Sequence, residues 1–200
     1  MTHPDVAAIV LAGGASRRFG RDKLREDLRG EPLLAHAIRR LAEVAPEIHV
    51  IVTQGDPLPR LPADLAVDLV RDLVAFDGPL RATARGLSIV HSTWAIVAGG
   101  DMPELQPTVL TALLRLGSDR DASATALGEG DRFRPLPCVL RTAPARERAE
   151  SLLAAGERSL RALLQDLSVA VLDETAWVRL DPERRTLRDV DEPADLLDAD

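Results

Sequence analysis

Short, fully apolar runs alternate along this chain with segments in which apolar residues recur at helical spacing. Val6-Ala7-Ala8-Ile9-Val10-Leu11 is the first run, and its composition predicts a buried strand that breaks at Gly13-Gly14. After a turn at Gly30-Glu31-Pro32, the residues Leu33, Leu34, Ala37, Ile38 and Leu41 mark one face of a helix that ends before Pro46. Ile48 to Val52 is a second strand, running into Thr53. Strand, helix and strand in this order make a βαβ unit, whose right-handed crossover sets the two strands parallel. A weaker strand, Ala66 to Val70, ends at Arg71-Asp72, and Gly78-Pro79 turns into a helix from Leu80 to Val90. Trp94 to Ala98 is a further buried strand leading into Gly99-Gly100-Asp101-Met102-Pro103, with Pro103 expected to start the helix that carries Val109, Leu110, Leu113 and Leu114. Strands at Ala122 to Leu127 and Leu136 to Leu140, helices at Ala143 to Ala155 and Ser159 to Gln165, and a strand at Val169 to Leu172 complete the pattern. Gly156 ends the first of these helices and Ser159 caps the second. The alternation predicts a single-domain α/β fold over residues 1–200, with a mostly parallel sheet.

Ligands of such sheets bind at the carboxyl ends of the strands, and that is where the polar residues of this chain gather. Beyond Gly13-Gly14 come Ala15 and Ser16, then Arg17, Arg18, Arg21 and Lys23 with Gly20 among them. A glycine turn lets backbone N–H groups approach an anion, and the cations that follow neutralise several phosphate charges, so the stretch reads as a polyphosphate cradle. It is neither a P-loop nor a dinucleotide fingerprint: Gly14 and Gly20 are separated by five residues, Leu24 follows Lys23, and Ser16 stands where a third glycine would fall. Thr53 is expected on the same rim as Gly13. Asp72, also at a strand end, can accept hydrogen bonds from ribose hydroxyls or a base amino group. Asp101 projects from the next strand end, and one such carboxylate suffices for Mg2+, which keeps waters and takes oxygens from a phosphorylated substrate.

Composition narrows the field. Aromatic residues are only 2% of the chain, against a base-stacking nucleic-acid platform. The net charge of −7 argues against an extended nucleic-acid or anionic-membrane surface, which needs broad phosphate neutralisation. The single cysteine, Cys138, excludes an internal disulfide and reads as a small buried strand residue. His36 sits at the edge of an apolar helix face and has no second histidine spaced to help it ligate a metal. With neither a secretory pattern nor a run of about 20 apolar residues, the cytoplasm is the expected compartment.

The stretch Leu-Ala-Gly-Gly-x-Ser-x-Arg-x-Gly-x-Asp-Lys, filled here by Leu11, Ala12, Gly13, Gly14, Ser16, Arg18, Gly20, Asp22 and Lys23, closely resembles the signature of the molybdenum cofactor guanylyltransferases, the MobA-like NTP transferases. Gly-Asp-Met-Pro at 100–103 resembles that family's metal-binding turn, and the Asp72 to Leu80 segment its nucleotide-contacting segment. The resemblance implies a Rossmann-like three-layer sandwich of the nucleotide-diphospho-sugar transferase type. It implies that Leu11, Ala12, Gly13, Gly14, Lys23, Thr53, Asp72 and Asp101 bind the nucleotide and its metal, and that Arg18, Lys23 and Asp101 act in catalysis with Mg2+ held by Asp101. The implied donor is GTP and the implied acceptor the phosphate of molybdopterin, with a molybdoenzyme or cofactor-delivery protein as partner. A cytidylyltransferase, another nucleoside triphosphate donor, and a nucleotide-binding regulatory protein on the same fold stay open. Arg132 and Arg134 fall where the family meets its acceptor. Two departures stand out: Arg81-Ala82 follows Leu80 where the family often has alanine-glycine, and Asp189 and Asp191 replace two asparagines near the end. The two acids either join Asp101 around a metal or repel an anionic acceptor.

Overall fold

The computed structural model describes residues 3, 5–13, 23–55, 59–72, 77–192, 194 and 195. In chain order these form β1 (Val6–Leu11), a 3-10 turn at Lys23–Arg25, β2 (Asp27–Leu28), β3 (Glu31–Pro32), α1 (Leu33–Ala42), β4 (Glu47–Val52), β5 (Asp68–Arg71), α2 (Pro79–Leu87) and β6 (Trp94–Gly99). They continue with α3 (Pro107–Asp119), β7 (Ala124–Glu129), β8 (Arg132–Arg141), α4 (Thr142–Ala154), α5 (Leu160–Asp166), β9 (Ala170–Leu172), α6 (Glu174–Val178) and a 3-10 turn at Arg185–Leu187. Gly14 and Arg18, with the rest of the loop at 14–22, lie outside the described residues.

The main sheet has seven strands in the order β5-β4-β1-β6-β8-β7-β9. The four strands from β5 to β6 are mutually parallel; β8 runs antiparallel to both β6 and β7, and β9 returns parallel to β7. This is the mostly parallel sheet that the alternation of elements predicts. Because successive side chains of a strand point to opposite faces, β1 supplies two cores at once. Val6, Ala8 and Val10 pack with α1 and α3 on one face, while Ala7 and Ile9 pack with α2, α4 and α5 on the other. The result is the expected three-layer sandwich. Gly86 of α2 lies directly over β1, where a β-carbon would come within 2.5 Å of Ile9 Cγ2.

Several boundaries differ from expectation for physical reasons. The helix after Asp101 starts at Pro107, not Pro103, because residues 101–104 form turns that fold back on the strand end, with the Met102 amide donating to the Gly99 carbonyl. The turn at 30–32 belongs to the small β2–β3 hairpin. β8 begins at Arg132, earlier than expected; it carries Pro135 and Pro137, and its ladder with β7 shifts register between Ala126 and Leu127. α6 was not anticipated: its buried Trp177 donates from the indole nitrogen to the Gly128 carbonyl. Gly156 adopts φ 89° at the end of α4, and the Ser159 hydroxyl accepts from the Ala162 amide, as the sequence suggests.

Candidate nucleotide and metal site

β1, β4, β5 and β6 are parallel and finish on one rim. Their last residues deliver Ala12-Gly13, Thr53, Asp72 and Gly99-Gly100-Asp101 to that rim. Backbone pairing continues just past the strands: Ala12 donates to the Ile51 carbonyl at 2.8 Å, Asp72 to Val52 at 2.8 Å and Gly100 to Leu11 at 3.0 Å. The Ala12 amide is thereby spent on the sheet. Leu11 likewise contributes its carbonyl to the ladder. Gly13 lies against Thr53, which is buried, and a β-carbon at Gly13 would sit 2.3 Å from Thr53 Oγ1. Asp72 is buried at the end of β5.

Asp101 owes its position to the two glycines before it. A β-carbon on Gly99 would fall 2.3 Å from Asp101 Oδ1, and one on Gly100 would fall 2.8 Å from Leu34 Cδ1, so the two glycines leave the carboxylate room to fold back over the strand end. Asp101 keeps 28% of its side chain in solvent. Its Oδ2 meets the Lys23 ammonium at 2.8 Å, and the same ammonium donates to Asp191 Oδ1 at 2.9 Å and to the Val190 carbonyl at 2.8 Å. Burial alone would lower the pKa of Lys23; the neighbouring Asp101 and Asp191 outweigh it and hold the amine above its ordinary value. The C-terminal segment is itself fixed on the Asp101 turn, because the Val190 amide donates to the Asp101 carbonyl at 2.9 Å.

Beside Asp101 opens a cleft of about 410 Å3 lined in part by Arg132, Phe133, Arg134, Arg161 and Asp189. Arg161 stacks its guanidinium 4.6 Å from the Phe133 ring centre and donates to the Phe133 carbonyl. Arg134 lies 3.6 Å from Glu129. Partial burial raises the carboxyl pKa of Asp189; the charges of Asp191 and Asp101 act in the same direction, while its own backbone hydrogen bond and Arg134 oppose them. Arg81 pairs with Asp77, four positions earlier and just before α2, and Asp77 also binds Arg158. His36 donates to the Leu28 carbonyl at 2.6 Å, and Cys138 is buried with its thiol pushed well above the ordinary range by loss of water.

The structure thus brings Gly13, Thr53, Asp72, Lys23 and Asp101 to one rim and adds Asp191 to them. Sequence reasoning missed Phe133 and Arg161 as walls of the cleft, although Phe133 is one of only three phenylalanines in an aromatic-poor chain. Among the described residues there is no cluster of three or more His, Cys, Asp or Glu able to enclose a metal ion, and no helix long and apolar enough to cross a membrane. A partly exposed carboxylate at a cleft, without an enclosing set of ligands among the described residues, fits a hard cation that takes most of its ligands from water and phosphate.

The chain is similar to known proteins over nearly its whole length. A 198-residue alignment gives 36% identity to a probable molybdenum cofactor guanylyltransferase of Mycobacterium avium, covering 96% of this chain and 93% of the relative. A probable molybdenum cofactor guanylyltransferase of Chloroflexus aggregans is 33% identical over 201 residues, covering 97% and 93%. Among solved structures, molybdopterin-guanine dinucleotide biosynthesis protein A of Archaeoglobus fulgidus superposes with a TM-score of 0.74 at 21% identity, over 96% of this chain and 95% of its own. The 2-C-methyl-D-erythritol 4-phosphate cytidylyltransferase of Thermus thermophilus shares the fold, with a TM-score of 0.69 at 18% identity over 96% and 95%. The sequence profile of the MobA-like NTP transferase domain matches residues 8–171, and with Gly13, Lys23 and Asp101 gathered past the strand ends, the chain belongs to the MobA-like NTP transferase family.

Proposed function

We propose that this chain, working over residues 1–200 as one domain, transfers GMP from GTP to the phosphate of a molybdopterin-type acceptor and releases pyrophosphate. The observation that carries the reading is the meeting of Asp101 and Lys23 at 2.8 Å just past the end of β6, with Asp101 lining an arginine-rich cleft. An acceptor phosphate oxygen attacks the α-phosphorus in line. A new P–O bond joins donor and acceptor, the bond from the α-phosphorus to the bridging oxygen breaks, and that oxygen keeps the electron pair as pyrophosphate departs. The acceptor phosphate is already ionised near neutral pH, so the step requires no general base, and catalysis rests on alignment and charge stabilisation.

Each residue then has a task. The Gly13 turn, with Gly14, brings backbone close to the triphosphate; Lys23 and Arg18 offset charge on the departing phosphates; Thr53 and Asp72 contact the nucleoside side of the donor. Arg132, Arg134 and Arg161 draw the acceptor's phosphate into the cleft, and the Phe133 ring gives that cleft its apolar wall. Asp101 would hold Mg2+ together with substrate phosphate oxygens, and the bound ion would supply further neutralisation of their charge. The reaction takes place in the cytoplasm, and its product passes to a molybdoenzyme or a delivery protein.

The test is pyrophosphate release with Mg2+, molybdopterin and each of GTP, CTP, ATP and UTP in turn. The expected outcome is product with GTP, and loss of at least about a hundredfold in turnover on Asp101→Asn. Product from CTP alone would reassign the base, and near wild-type turnover in the Asp101 variant would remove that residue from the chemistry.

A further inference from the structure

Lys23 is the only lysine in the chain; every other permanent side-chain cation is one of 24 arginines. An ammonium carries three N–H donors and no acceptor, and all three find acceptors here: Asp101 Oδ2 at 2.8 Å, the Val190 carbonyl at 2.8 Å and Asp191 Oδ1 at 2.9 Å. Only 14% of the side chain is exposed. A tetrahedral ammonium suits such a three-sided socket, whereas the planar fork of arginine does not. The three acceptors come from a strand end and from a segment more than 160 positions away, and the Val190–Asp101 backbone bond holds the two pieces together.

With its donors committed to protein, the ammonium cannot turn toward a triphosphate without surrendering one or more of these bonds. Nor can a divalent cation take Asp101 Oδ2 while the ammonium rests on it, because two cations would then compete for one oxygen. We propose that Lys23 fills its own enzyme's cation site in the absence of nucleotide, and that the triphosphate draws the ammonium out, freeing Asp101 and Asp191 for the divalent ion. Asp191 is on this account a positioning residue: it helps hold Lys23 in the empty enzyme, and it stands beside the ion's carboxylate once Lys23 has left. The consequence is an order of events in which free metal binds weakly and the metal enters with, or after, the nucleotide. By linkage, the factor by which GTP tightens metal binding equals the factor by which metal tightens GTP binding.

The proposal rests on the reading of Asp101 as the residue that holds the cation, and the experiment separates the two. Mn2+, followed by its electron paramagnetic resonance signal, is titrated into the 200-residue protein without nucleotide as wild type, Lys23→Met, Asp101→Asn and Lys23→Met with Asp101→Asn, and in the presence of GTP as wild type and Asp101→Asn. The expected result is on the order of tenfold tighter Mn2+ binding by Lys23→Met than by wild type, with the gain lost in the double variant. Equal or weaker binding by Lys23→Met, with Mn2+ binding to the wild type in the presence of GTP still falling on Asp101→Asn, overturns the inference and leaves the cation reading standing. Mn2+ binding indifferent to Asp101→Asn with and without GTP overturns both. A second measurement needs no variant: protein labelled with 15N-lysine gives one side-chain signal, since there is one lysine. That signal is expected to move when GTP is added with a chelator present, and a signal unmoved by saturating GTP overturns the inference.

Discussion

Gly13 and Thr53 meet so closely across the β1 and β4 strand ends that a β-carbon on the glycine would lie 2.3 Å from the threonine hydroxyl and 3.3 Å from its amide nitrogen. The contact closes one corner of the rim, with the glycine contributing backbone alone. Gly13→Ala is therefore expected to cost about 1–3 kcal/mol of stability and to weaken GTP binding, since the turn must back away from Thr53. Adding Thr53→Ala removes the nearest obstacle and should return much of the stability. Chemical denaturation of the single and double variants measures this, and equal losses in both would mean that the clash is not with the hydroxyl.

A second close approach lies away from the chemistry. In Gly86→Ala the new methyl would come 2.5, 2.8 and 2.9 Å from three atoms of Ile9, a buried and β-branched neighbour with little freedom to yield. Alanine's better helix propensity returns up to about 1 kcal/mol, less than the overpacking takes. The expected net loss is about 1–2 kcal/mol in denaturant titrations, with turnover at low temperature little changed. Ile9→Val in the same background should recover part of it.

The entry to α2 carries an acid-sensitive tie. Hydrogen bonding from Arg81 holds the Asp77 carboxyl below its ordinary value of 3.8; loss of water opposes it, and hydrogen bonding from Arg158 with the charges of both arginines adds to the lowering. A lowered native pKa gives stabilisation that is fully present above the unfolded value and drains away as pH falls through the native one. Asp77→Asn should therefore melt below wild type at neutral pH, and the gap should close as the medium is acidified below 3.8. A gap of constant size across that range would assign the loss to packing instead of charge.

Asp189 lies in the proposed acceptor cleft. It lines the cleft with Arg132, Arg134 and Arg161, and its negative charge opposes an incoming phosphate. Asp189→Asn keeps the shape and removes that charge. The expectation is a KM for the phosphorylated acceptor about threefold to tenfold lower at low salt, with the advantage shrinking as salt is raised. An unchanged KM would mean that the acceptor's phosphate does not come near residue 189.

What could be read from the sequence follows from how local each signal is. β1, α1, β4 and β6 announce themselves through contiguous apolar runs and helical spacing, and the rim residues Gly13, Thr53, Asp72 and Asp101 then follow from the rule that parallel strands deliver their ends to one side. α6 could not be anticipated in this way, because what fixes it is the Trp177 indole reaching Gly128, 49 positions away. The start of α3 was misjudged because Pro103 and Pro107 are equally good first residues for a helix, and only the folded turn at 101–104 chooses between them. The same limit applies to Lys23: four cations in one loop look alike in sequence, yet this one is tied to residues 190 and 191 at the far end of the chain.

That tie bears on where the chain may be cut. The family profile stops at residue 171, which would suggest a convenient end for an expression fragment or a fusion joint. Such a fragment would keep most of the strands of the sheet and Gly13, but it would lose Trp177, Val190 and Asp191, and with them two of the three acceptors that hold Lys23. Fragments and fusions of this protein should therefore run past residue 191, because the last stretch is a wall of the site and not a trailing end.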